Sequence, residues 1–122
     1  MSENRSETNF QMFRLPTLAE GPFDLVGFSR RELQSIFDLY GRMVAQGVWR
    51  DYAIDFSSSR AVFSIFRRNG EAAYFRIVKE PKSARKQGAY MIVAQTGLIV
   101  KRGSELSRVL AAIENKPKIS MV

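Results

Sequence analysis

AVFSIFRRNGEAAYFRIVK, residues 61–79, decides the architecture. Apolar and polar side chains alternate on both sides of Asn69-Gly70, a pair suited to the positive backbone angles of a hairpin turn. Two registers compete. A two-residue type I′ loop closing on Arg68 and Glu71 would place Val62, Ser64 and Phe66 on one face with Ala73, Phe75 and Ile77. A three-residue loop with a glycine bulge shifts the pairing by one and places Ala61, Phe63 and Ile65 with Ala73, Phe75 and Ile77. The second register separates apolar from polar better and is the expected one. It leaves Ser64, Phe66, Arg68, Tyr74 and Arg76 on the opposite face.

Toward the N-terminus, Tyr52 to Phe56 alternates as a half-buried strand, and Ser57-Ser58-Ser59 turns into Ala61. Before it the period changes to that of a helix. Ser29 and Glu32 make a capping box, with Phe28 and Leu33 at the positions of a hydrophobic staple. Leu33, Ile36, Phe37, Tyr40, Met43 and Val44 then form an apolar stripe that ends at Gly47, a left-handed C-terminal cap. The helix spans about 17 residues, roughly 25 Å. Gly41 inside it costs about 1 kcal/mol relative to alanine and reads as a point of close packing.

Toward the C-terminus, Lys79 to Gly88 is a basic loop. Ala89 to Ala94 and Leu98 to Lys101 read as strands joined through Gln95-Thr96-Gly97. Ser104 is expected to cap a last helix with Leu106, Val109, Leu110 and Ile113 as its stripe, stopped at Lys116-Pro117. The fold class is α+β: an N-terminal helix, a five-stranded, mainly antiparallel meander and a C-terminal helix, with the helices over one face. Residues 28–118 form the single domain, 1–27 a flexible N-terminal arm and 119–122 a tail. Within the arm, Phe10 to Leu15 is expected to dock on the domain's own core, because so small a domain needs every large apolar side chain it has.

The 122 residues suit one domain and leave no room for two full cores. No apolar run approaches the roughly 18 residues of a membrane helix, and Met1 to Thr8 lacks the pattern of a signal peptide, so a cytoplasmic location is expected. Cysteine and histidine are absent, which removes disulfides, thiolate nucleophiles, the usual zinc ligands and imidazole acid–base chemistry. The net charge of +7 is unevenly spread: six basic against eight acidic residues through Ser59, then thirteen basic against four acidic from Arg60 onward. A positive field on half of a small domain favours a polyanionic partner.

No catalytic constellation stands out, and neither an enzyme activity nor a cofactor or metal is expected. Asp51 and Asp55 with Glu71 or Glu80 would make a hard-metal site, but pairing of these carboxylates with arginines is the better account. Ser57, Ser58 and Ser59 read as a turn, not as nucleophiles, since no histidine can activate them. The basic segments lead further. Arg67, Arg68, Arg76, Lys82, Arg85, Lys86, Lys101 and Arg102 are the candidate polyanion-binding residues, with Phe66 and Tyr74 as candidate stacking residues on the open sheet face. The expected function is a non-catalytic nucleic-acid-binding accessory domain. The alternative is an interaction or regulatory adaptor with an acidic protein partner, homodimeric through Phe10 to Leu15.

Four strings carry a family resemblance: FSRRELQSIFDLYGRMVAQGVWRDYAIDF from Phe28, AVFSIFRR from Ala61, PKSARKQGAY from Pro81 and GLIVKRGSEL from Gly97. With these the chain resembles an uncharacterised bacterial family, found in alphaproteobacteria and catalogued as a domain of unknown function. The resemblance covers about three quarters of the chain, from the first helix to the last. It implies membership and no activity.

Overall fold

The structure, a computed structural model, describes residues 25–114. The arm through Asp24, the stop at Lys116-Pro117 and the tail lie outside the described residues.

Helix α1 (Arg30–Ala45) begins where its start signals place it. Ser29 Oγ accepts from the Glu32 backbone N–H at 3.0 Å, and Glu32 Oε1 accepts from the Ser29 N–H at 2.7 Å. The reciprocal pair satisfies two N–H groups that a helix start otherwise leaves open. Phe28 is buried and Leu33 packs against the same core, as a staple requires. At the other end Gly47 takes φ +78°, the left-handed region expected of it. Gly41 corrects its reading: it is exposed, and a Cβ there would meet nothing within 4 Å.

Five strands follow: β1 (Asp51–Phe56), β2 (Ala61–Phe66), β3 (Phe75–Lys79), β4 (Tyr90–Ala94) and β5 (Ile99–Gly103). They pair in sequence order, every neighbour antiparallel. Helix α2 (Leu106–Glu114) closes the described chain. Two helices therefore flank a five-stranded antiparallel sheet in an α+β fold.

The central hairpin takes the register with Phe63 opposite Ile77 and Ile65 opposite Phe75. Ala61, Phe63 and Ile65 join Ala73, Phe75 and Ile77 in burial, which is the expected facing set. Pairing stops earlier than a three-residue loop demands, because β2 ends at Phe66 and β3 starts at Phe75. The sequence Arg67 to Tyr74 forms a wider connection, closed by the Tyr74 N–H donating to the Ile65 carbonyl at 2.7 Å. Other boundaries move too, β1 starting at Asp51 and β4 at Tyr90. β5 starts one residue later than expected and continues to Gly103, with a register shift where Val93 meets Ile99. Helix α2 is preceded by Glu105 in place of Ser104: the Val109 N–H donates to the Glu105 carbonyl at 3.2 Å, so Glu105 occupies the cap position.

One core lies between the first face of the sheet and both helices. Phe63, Ile65, Ile77 and Ile92 meet Ile36, Leu39 and Met43 of α1 and Val109 and Ile113 of α2. Each such side chain contributes about 1.5–3 kcal/mol by leaving water. Trp49, just before β1, is buried in the same cluster. Tyr52 of edge strand β1 stacks on Phe63 with ring centroids 5.1 Å apart, while Phe37 meets Phe63 edge-on at 5.3 Å. The helices are tied across their surfaces by Arg42, which donates to both carboxylate oxygens of Glu114 at 2.9 and 3.1 Å.

Candidate functional site

A meander places successive connections at alternate ends of its sheet, and this divides the candidate polyanion-binding residues. At one end lie the β3–β4 loop, the end of β5 and the start of α2, with Lys82, Arg85, Lys86, Lys101 and Arg102. The other end holds the β2–β3 connection and the β4–β5 turn, with Arg67, Arg68, Phe66 and Tyr74. Arg76 lies on the second face, nearer the latter. The ends are about 17 Å apart, the length of a five-residue strand. The loop cations and the aromatic pair are not brought together.

The basic loop is held by its own backbone. Pro81–Ser83 forms a 3-10 turn, and the Ser83 carbonyl accepts from the N–H groups of Lys86, Gln87 and Gly88 at 2.9–3.2 Å. Its two stems join through the Glu80 N–H, which donates to the Ala89 carbonyl at 2.6 Å. Ser83 Oγ and an Arg60 terminal nitrogen donate to the Glu80 carboxylate at 2.7 and 2.5 Å. The Ser83 hydroxyl and then Arg60 hold that carboxyl below its ordinary value.

Gly88 decides where the loop sits. It takes φ +93°, and a Cβ there would lie 2.2 Å from the Gly103 carbonyl carbon. Only a glycine allows this backbone to lie against the end of β5. The contact sets the loop carrying Lys82, Arg85 and Lys86 at the end of the sheet where β5 finishes, with Lys101 opposite Ile92 and Arg102 opposite Met91 on alternate faces of that strand. Lys82, Arg85, Lys86 and Lys101 are exposed, and none of the four forms an ion pair among the described residues. Arg102 is half-buried and donates to Met91 Sδ at 3.0 Å. An open cleft of about 320 Å³ lies here, lined by Lys101, Arg102, Ser104, Glu105 and Arg108. Sequence reading passed over Arg108, which pairs with Glu105 at 2.9 Å. The antiparallel β4–β5 hairpin was the signal for it, since it must return α2 to the basic-loop end.

At the far end the arginines are engaged differently. Phe66 and Tyr74 are both half-buried, and the Arg67 guanidinium carbon stands 4.0 Å from the Tyr74 ring centroid. A cation over a ring face gains from the ring's quadrupole, so Arg67 already occupies a surface on which a base would stack. Arg68 faces Glu71 at 3.5 Å, a loose and exposed pair.

The candidate carboxylates also separate. Glu71 and Glu80 pair with Arg68 and Arg60, while Asp51 and Asp55 stand on the second face of β1. No group of three metal-ligating side chains forms among the described residues. Ser57 Oγ makes turn contacts with Ser59 and Arg60.

A third polar cluster was invisible in the sequence. Glu32, besides its capping role, accepts from Lys79 Nζ at 2.9 Å and from the Tyr90 hydroxyl, and Lys79 also donates to the Gly27 carbonyl at 2.8 Å. Burial alone would raise the Glu32 carboxyl, but bonds from Tyr90, the Ser29 N–H and Lys79 outweigh it and hold the group below its ordinary value. Burial, then Glu32, pushes the Tyr90 hydroxyl well up. Every polar group is used, so the cluster pins the start of α1 to β3 and β4.

The model of the family described as Protein of unknown function (DUF2794) matches residues 26–110. The chain belongs to that family. Comparison with curated proteins and with solved structures found no match. No helix among the described residues is long and apolar enough to cross a membrane.

Proposed function

We propose that this family member is a non-catalytic accessory domain of the bacterial cytoplasm that binds the phosphate backbone of nucleic acid through the basic end of its sheet. The observation that carries the reading is the seating of Gly88 against Gly103, which fixes the loop with Lys82, Arg85 and Lys86 at the end of the sheet where β5, bearing Lys101 and Arg102, finishes. Polyanion binding needs exposed cations free of internal partners, and Lys82, Arg85, Lys86 and Lys101 are exposed and form no ion pair among the described residues. With Phe66 and Tyr74 a strand length away, this end supplies charge and shape without base stacking. Recognition of the backbone, with little preference among sequences, follows.

Fluorescence anisotropy with labelled single-stranded DNA, RNA and duplex DNA, each at low and near-physiological salt, tests the reading. Saturable binding that weakens linearly in log–log salt, with a slope of roughly −3 to −5 for four or five phosphate contacts, is expected. The Arg85→Glu, Lys86→Glu double variant should fold normally and lose this binding, because exposed loop charges contribute little to the core. Equal weak binding to every polyanion, heparin included, and only at low salt, would reduce the charge to a solubilising role.

A further inference from the structure

The far end of the sheet offers what the basic-loop end lacks: exposed aliphatic side chains at the same end as arginines held against the protein. Leu98 and Ile99 are 68% and 46% exposed and adjacent in sequence, where the β4–β5 turn enters edge strand β5. Single exposed apolar side chains are ordinary, whereas a neighbouring pair on an unpaired strand edge offers a contact surface. From Ile99 the register runs across the second face through Val93 to Arg76. Gln95 Nε2 donates to the Ala72 carbonyl at 3.2 Å, which ties this turn to the connection carrying Arg67. Arg67 lies over Tyr74, and its Nε is buried without an acceptor among the described residues. Arg76 is half-buried and forms no ion pair among them.

We propose that this corner docks an extended acidic segment of another protein, with aliphatic side chains against Leu98 and Ile99 and carboxylates against Arg67 and Arg76. Charge selects the occupant. Guanidinium groups fixed against a ring or half-buried in a face suit carboxylates better than solvated lysines do, because less of their freedom is lost on pairing. A second copy docked through this same corner would present Arg67 and Arg76 again, so a positive patch would face a positive patch. Nucleic acid gains nothing from the aliphatic pair and finds one face of Tyr74 taken. An extended segment crossing the second face from β5 to β3, in contrast, can meet both the aliphatic and the arginine side chains. The site is separate from the basic loop, so the two readings stand or fall independently.

The test uses a labelled peptide of alternating glutamate and leucine, an all-glutamate peptide of equal length and single-stranded DNA. The mixed peptide should saturate and bind at least about tenfold tighter than the all-glutamate one. Arg76→Gln, and separately Leu98→Asp or Ile99→Asp, should each weaken it about tenfold, while the Arg85→Glu, Lys86→Glu variant leaves it unchanged. Buried Trp49 reports by its fluorescence whether each variant folds. Equal affinity for both peptides, indifference to all three corner substitutions, or loss in the loop variant overturns the proposal. So does a homodimer in sedimentation that Leu98→Asp dissolves, which would make a second copy the occupant.

Discussion

Both ends of the sheet are basic and are built on opposite principles. At the β3–β4 end the backbone is locked, by Gly88 on Gly103 and by bonds converging on the Ser83 carbonyl, while the cations stand out in solvent. At the β2–β3 end the connection is wider and the arginine side chains are the held parts, Arg67 on Tyr74 and Arg76 within the face. The first arrangement presents several solvated, interchangeable charges on a fixed backbone, which would suit a repeating polyanion. The second presents few charges in fixed orientation, which suits individual carboxylates. A count of basic residues cannot distinguish them, because the difference lies in which part of each residue is immobile.

The sharpest way to break this comparison is to substitute one glycine at each end. Gly88→Ala forces a Cβ into the Gly103 backbone in an already left-handed conformation and should cost about 3 kcal/mol, read as a lower midpoint in denaturant melts followed by Trp49 fluorescence. Gly70→Ala also sits at positive φ, but with open space around it, and should cost about 1 kcal/mol. Equal losses would show that the loop is not seated on β5.

Glu32→Ala should cost about 2 kcal/mol, since it removes the capping box and strips Lys79 and Tyr90 of their acceptor. Its native carboxyl lies below the ordinary value of 4.5, so this contribution is complete above that value and is lost as pH falls through the lowered native one. Melts of the wild type and of Glu32→Ala should therefore converge in acid and diverge toward neutral pH. The smallest effect belongs to the far end, where Arg68→Ala should change stability by less than about 0.5 kcal/mol because its pair with Glu71 is loose and exposed. A larger loss there would mean that the β2–β3 connection is as tightly fixed as the basic loop.

What could be read in advance was local. The capping box lies within four residues, and the hairpin register follows from the parity of Ala61, Phe63 and Ile65 against Phe75 and Ile77, so neither needs knowledge of distant chain. Gly88 read as the end of a loop because its reason for being glycine stands fifteen positions later in the sequence, at Gly103. Glu32 looked finished as a capping residue, and its partners Lys79 and Tyr90 are 47 and 58 positions away. Gly41 was misread in the other direction, as helix propensity suggested a packing cause where the surface is open. The separation of the loop cations from Phe66 and Tyr74 was in principle available, because consecutive hairpins must turn at opposite ends. Treating charge by sequence half obscured it.

The sequential strand order also bears on how the chain reaches this structure. Each strand finds its partner across one short connection, so the sheet can assemble hairpin by hairpin at small entropic cost per step. The contact between Arg42 and Glu114 is of another kind, joining residues 72 positions apart, so its loop closure is costly until the intervening strands have formed. Docking of α2 on α1 is then expected after the rate-limiting step, so substitutions in that seam should speed unfolding while leaving the folding rate nearly unchanged.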